Sequence, residues 1–212
     1  MAYYCGLCIG ICRILANRIC GPLPPPPRRQ FDVLCIGMGG AGKSTILSLA
    51  AGEETDDIEA TKGFNIKAIT TSRAILNVKE LGGGDSVRPY WCRYLTGVEA
   101  VIVVVDIMSN DNEFDTAYAE ISALLEDSQL TGLPLMVLLN KQDLGYKSEQ
   151  EVQAHFDIEK LRENHDCCLV FRTSCDSLQE LKLCFEEMSE QLLAFYLPPE
   201  VENSRSSVYN PL

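Results

Sequence analysis

Gly37-Met38-Gly39-Gly40-Ala41-Gly42-Lys43-Ser44 matches the phosphate-binding pattern G-x-x-x-x-G-K-[ST]. The glycines let the backbone fold round phosphate oxygens, so that N–H groups and a helix N-terminus face negative charge. In such a loop Lys43 reaches the β- and γ-phosphates and Ser44 offers its hydroxyl to Mg2+. The bare pattern occurs by chance, so its context decides. Phe31–Ile36 reads as an apolar strand before it, and Ser44–Ala51 as a helix after it.

On either side of the loop, strand-like apolar runs alternate with helical patterns from Phe31 to Leu197. Asn65–Thr70 and Ala74–Leu81 form a hairpin around Thr71-Ser72-Arg73. Val98–Asp106, with Val101-Ile102-Val103-Val104-Val105, is too continuously apolar to be half exposed and reads as a central parallel strand. Phe114–Glu126 has helical periodicity and Leu133–Asn140 is another buried strand. Residues 149–163 are weakly helical, Cys168–Arg172 is a strand and Ser177–Tyr196 a long amphipathic helix. This alternation predicts an α/β fold with a doubly wound, mostly parallel sheet. Ligands of such sheets sit outside the carboxyl ends of the strands.

Composition narrows the function. At 212 residues, 46% of them hydrophobic, the chain supports one sizeable domain. A net charge of −12 argues against nucleic acid as a partner, because phosphate backbones need a basic footprint. His155 and His165 are the two histidines, too few for a histidine-based metal site. Cys5-x-x-Cys8 lacks the second half of a zinc framework, and Cys35 and Cys184 lie in apolar patterns as buried free thiols. A reducing cytosol fits best.

Asn140-Lys141-Gln142-Asp143 ends a buried strand, where a base can be gripped, and the phosphate loop precedes it in the required order. A carboxylate such as Asp143 accepts from both guanine donors, N1–H and the 2-amino group. Adenine lacks that paired-donor edge. An ATP-using P-loop kinase is opposed on this ground.

With these motifs the chain resembles the Ras-like small GTPases, in particular the ADP-ribosylation-factor-like branch. Thr61-Lys62-Gly63-Phe64-Asn65, Leu81-Gly82-Gly83 and Val87-Arg88-Pro89-Tyr90-Trp91 carry the resemblance, which spans about residues 31–197. It implies a small G-protein fold with one antiparallel interswitch hairpin, Phe64–Leu81, which slides when the nucleotide changes. It implies GTP and GDP with Mg2+ as ligands, bound by Gly37, Gly39, Gly40, Ala41, Gly42, Lys43, Ser44, Thr45, Asn140, Lys141 and Asp143. Thr61 supplies a second Mg2+ ligand beside Ser44, Gly83 donates its N–H to the γ-phosphate, and the Ser174-Cys175 backbone meets the guanine ring. Effectors bind the switch regions and interswitch, and exchange and GTPase-activating factors act there.

Three residues depart from that family. Its members have a tryptophan, an aspartate, an apolar residue and Gly-Gly-Gln where this chain reads Lys79-Glu80-Leu81-Gly82-Gly83-Gly84. Glu80 adds a methylene and displaces the carboxylate that holds a Mg2+-bound water. Gly84 has no side chain to orient the attacking water, unless Asp85 substitutes. Slow hydrolysis is the expectation, with no firm catalytic residue.

Residues 1–31 hold Arg13, Arg18, Arg28 and Arg29 and no acid. Ala2–Cys12 is too short an apolar run for a membrane span, and positive charge follows it rather than preceding it as in a signal peptide. Cys5, Cys8 and Cys12 share one face of a helix and are candidates for reversible acylation, with the arginines meeting anionic headgroups. The family's N-myristoyl glycine is replaced by Ala2. The chain divides into a Cys-rich membrane-binding segment (1–21), a proline linker (22–30), a GTP-binding domain (31–197) and a flexible tail (198–212). The expected protein is a membrane-associated signalling or trafficking switch, cytoplasmic, on the cytosolic face of endomembranes or the plasma membrane. The alternative is a non-enzymatic GTP-bound scaffold recruiting partners through its switch surface.

Overall fold

Successive residues of β1 (Arg29–Ile36) enter two different cores in the computed structural model, which describes residues 28–145, 148, 151–152 and 156–197. Leu34 and Ile36 pack with Phe114, Ile121 and Leu161, whereas Phe31, Val33 and Cys35 pack with Leu47, Phe185 and Leu192. A strand covered on both faces has to be apolar on both, which is why the sequence shows runs rather than alternation.

The remaining elements follow in order: α1 (Lys43–Ala51), β2 (Phe64–Thr70), β3 (Ala74–Leu81), a 3-10 helix (Arg88–Tyr94), β4 (Ala100–Asp106), α2 (Asp111–Leu125), β5 (Leu135–Asn140), α3 (Ile158–Asn164), β6 (Cys168–Arg172) and α4 (Leu178–Tyr196). The sheet runs β2-β3-β1-β4-β5-β6, antiparallel at β2–β3 and parallel elsewhere. Helices α1 and α4 cover one face, α2 and α3 the other. Since β1 lies between β3 and β4, the winding reverses at its carboxyl end, and the glycine-rich loop sits at that reversal.

Several boundaries differ from the sequence reading, three of them with a clear local cause. Arg29 and Gln30, assigned to the linker, begin β1 and pair with Ala74 and Ile75; backbone pairing does not depend on their polarity. The helix expected over 149–163 is interrupted, since Phe156 and Asp157 are not helical and Asp157 caps α3 by accepting from Lys160 N at 3.0 Å. Helix α2 starts ahead of Phe114 because Asn110 and Glu113 form a capping box. Cys5, Cys8 and Cys12, with the rest of 1–27, and the tail 198–212 lie outside the described residues. No helix among the described residues is long and apolar enough to cross a membrane.

Trp91 fixes the segment after β3. It is buried, and its indole N–H donates to the Gly82 carbonyl at 2.9 Å. Trp91→Phe leaves that carbonyl unsatisfied and is expected to cost about 1–3 kcal/mol. A urea titration should show a lower midpoint with an unchanged slope.

Candidate functional site

Gly42 stands just before helix α1, with a left-handed φ of 92° and no side chain to cap the helix. The N–H groups of the first helical turn therefore have no side-chain cap, which leaves them for an anion. Gly42 is also crowded: a Cβ there would lie 2.3 Å from Asn140 Nδ2. Lys43, 5% exposed, folds back so that its ammonium donates to the Gly37 and Met38 carbonyls at 2.8 and 2.9 Å. Burial pulls this lysine below its usual range, against the opposing influence of Cys35 and Glu80. Burial also pushes the Cys35 thiol up, so it stays neutral beneath the loop.

A cleft of about 650 Å³ opens over this turn, with Gly40, Gly42, Lys43 and Ser44 on one side and Thr61, Glu80, Gly83 and Gly84 on the other. Gly83 touches the loop directly. Its carbonyl accepts from Gly39 N at 2.9 Å, and a Cβ would fall 2.2 Å from the Gly37 oxygen. Gly84 is the opposite case, with nothing within 4 Å of a Cβ. Asp85 lines the adjoining cleft with Gly83 and Gly84, but its carboxylate pairs with Arg88 at 2.5 Å and its side chain is 94% exposed. Arg88 also donates to the Gly83 carbonyl at 3.1 Å and pairs with Glu120 on α2.

The Mg2+ candidates Ser44 and Thr61 come together, their hydroxyl oxygens 3.3 Å apart. The extra methylene of Glu80 carries its carboxylate onto both of them, 2.5 Å from Ser44 Oγ and 3.2 Å from Thr61 Oγ1. Hydroxyl and carboxylate oxygens are the donor set of a hard cation, so these residues fit one.

The second motif is tied to the first. Asn140 is fully buried and its Nδ2 donates to the Ala41 carbonyl at 2.9 Å, joining β5 to the phosphate loop. Lys141 has a left-handed φ of 70°, and its ammonium meets Asp106 Oδ2 at 2.5 Å. Asp143 accepts from Ser174 Oγ at 2.7 Å, and Ser174 Oγ in turn accepts from Asp176 N. Cys175 is half-buried and packs against the core under α4. A second cleft of about 500 Å³ shares Gly39, Gly40 and Gly84 with the first and runs to Asp106 and Lys141. Asp143, Ser174 and Cys175 do not line either of these two clefts. Asp106 and Arg88 had no assigned role in the sequence. The signal for Asp106 was available, an acid ending an apolar strand at its carboxyl end.

Residues 25–192 match the Arf pattern, that of the ADP-ribosylation factor family. The chain belongs to the ADP-ribosylation factor family. It is 40% identical over 171 residues to ADP-ribosylation factor-like protein 15 of Bos taurus, covering 80% of this chain and 84% of that one. Against the Homo sapiens protein of the same name the identity is 39%, over 80% and 83% of the two chains. Its structure is similar to that of the Arl6 BBS3 small GTPase from Trypanosoma brucei, solved with the bound nucleotide analogue GppNp. That match has a TM-score of 0.67 at 25% identity and covers 77% of this chain and 97% of the other. As an Arf-family small GTPase the chain is a nucleotide-binding switch. The small G-protein fold expected from the sequence, with its single antiparallel hairpin, is the fold observed.

Proposed function

We propose that this Arf-family protein is a guanine-nucleotide switch, Mg2+-dependent and slow to hydrolyse GTP, that works on the cytosolic face of a membrane. The observation that carries the nucleotide assignment is the Asn140–Ala41 hydrogen bond at 2.9 Å, which holds the base loop and the phosphate loop in one rigid frame. In that frame Asp143 keeps lone pairs for the two guanine donors after accepting from Ser174. The GppNp bound to the Trypanosoma relative is a guanine nucleotide analogue and supports the same choice. Competition against a labelled guanine nucleotide tests it. GTP and GDP should displace the label with Mg2+ present and ATP should not; equal competition by ATP ends the reading.

Gly84 favours a second reading, a GTP-bound scaffold that recruits effectors through the switch surface and interswitch without turnover. Gly84 itself offers no side chain to orient a water, and chain-neighbours aside no atom lies within 4 Å of a Cβ there. The two readings share the site and differ in the rate of hydrolysis.

Membrane attachment is assigned to residues 1–21 through Cys5, Cys8 and Cys12. Acyl chains together with Arg13 and Arg18 hold what a single apolar signal holds only marginally. Changing all three cysteines to serine should shift the protein to the soluble fraction and abolish labelling by a palmitate analogue. Unchanged membrane fractionation would instead make the segment a packing or partner-binding element.

A further inference from the structure

We propose that Glu80 binds the divalent cation directly, so that Ser44, Thr61 and Glu80 present one face of its coordination shell and a water that an aspartate would hold is displaced. The inference rests on the nucleotide reading above and extends it to how this chain holds its metal.

Three oxygens make the case. Ser44 Oγ, Thr61 Oγ1 and Glu80 Oε1 form a triangle with sides of 2.5, 3.2 and 3.3 Å. Mg2+ demands near-octahedral oxygen ligands at about 2.0–2.1 Å, which places adjacent ligands about 2.9 Å apart. The triangle therefore has the size of one octahedral face. The second carboxylate oxygen gives an independent pointer. Glu80 is 1% exposed, and its Oε2 is buried without a hydrogen-bond partner. Lys43, the cation closest in sequence role, directs its ammonium to the Gly37 and Met38 carbonyls instead. A buried carboxylate with an oxygen left unpaired is unfavourable unless a cation meets it.

Side-chain length decides the mode of binding. Glu80 sits on β3 between Cys35 of β1 and Asn65 of β2, so its backbone cannot shift toward the cleft without breaking both ladders. An aspartate at this position retracts the carboxylate by about 1.5 Å, one carbon–carbon bond, which opens room for a bridging water. Glutamate closes that gap. The ligand it adds carries a charge, so it strengthens the hold on the metal itself.

Mn2+ serves as the probe. The full-length protein is loaded with GppNp and Mn2+, and the waters on the ion are counted by electron paramagnetic resonance in 17O-enriched water. The wild type should hold one water fewer than Glu80→Asp, and Glu80→Gln, which keeps the length and loses the charge, should bind Mn2+ at least tenfold more weakly. Equal water counts in wild type and Glu80→Asp, or unchanged Mn2+ affinity in Glu80→Gln, would overturn the assignment. Failure of the wild type to load GppNp counts against the nucleotide reading alone. Mn2+ affinity of the nucleotide-free proteins then decides the Glu80 claim, with the same tenfold loss supporting it and no loss overturning it. Circular dichroism on each variant separates a lost ligand from a lost fold, and rescue of Mn2+ affinity in Glu80→Asp over Glu80→Gln marks the charge as the cause.

Discussion

Asp143→Asn should exchange guanine for xanthine nucleotides. Two charge-assisted hydrogen bonds to N1–H and the 2-amino group are lost, at about 1.5–3 kcal/mol each, so GTP affinity should fall by about 10²- to 10⁴-fold. The carboxamide offers a donor to the xanthine carbonyl, and XTP should gain as GTP loses. The substitution leaves the surrounding frame in place, because asparagine retains an oxygen that accepts from Ser174 and the Asn140–Ala41 bond is untouched. Paired titrations with fluorescent GTP and XTP read the effect. Equal loss for both nucleotides would show that Asp143 supports the loop and does not read the base.

Gly84→Gln should accelerate hydrolysis. Phosphoryl transfer gains mainly from positioning and electrostatics, and a water-orienting side chain is worth roughly ten- to a thousandfold, or about 1.4–4 kcal/mol of barrier. The structure gives the variant room: nothing lies within 4 Å of a Cβ at Gly84, and its φ is not left-handed. Its neighbour Gly83 gives no such room, since a Cβ there meets the phosphate-loop backbone at 2.2–2.5 Å. Asp85 is already engaged by Arg88, which leaves position 84 as the place to restore the missing group. Single-turnover rates of wild type and variant decide it, and identical rates would mean that the water is oriented from elsewhere.

Most of the frame was legible because its signals are local. The glycine loop, the strand before it and the helix after it are contiguous, and the strands buried on both faces read as apolar runs such as Val101–Val105. Boundaries were less legible. Strand β5 starts at Leu135 and not at Leu133 because Pro134 has no N–H for the ladder, although its carbonyl still accepts from Val101 N. Some contacts between distant segments were expected, such as Thr61 beside Ser44, but most side-chain pairings were not legible. Sequence marked Glu80 as a departure but not the direction of its carboxylate, which follows from the β1–β3 and β2–β3 registers that set it over Ser44 and Thr61. It likewise named Lys141 and Asp106 in separate elements without pairing them. That pair exists because β4 and β5 run side by side, with Asp106 opposite Asn140.

Whether the unmodified protein binds GTP and holds it largely uncleaved is decided by a single-turnover measurement. Full-length protein is loaded with γ-labelled GTP and Mg2+, freed of excess nucleotide, and followed for phosphate release and for retained GTP in a single turnover. Stoichiometric GTP should stay bound, with release of phosphate roughly ten- to a thousandfold slower than in Gly84→Gln. Rapid phosphate release by the unmodified protein, at a rate indifferent to the residue at position 84, would contradict it.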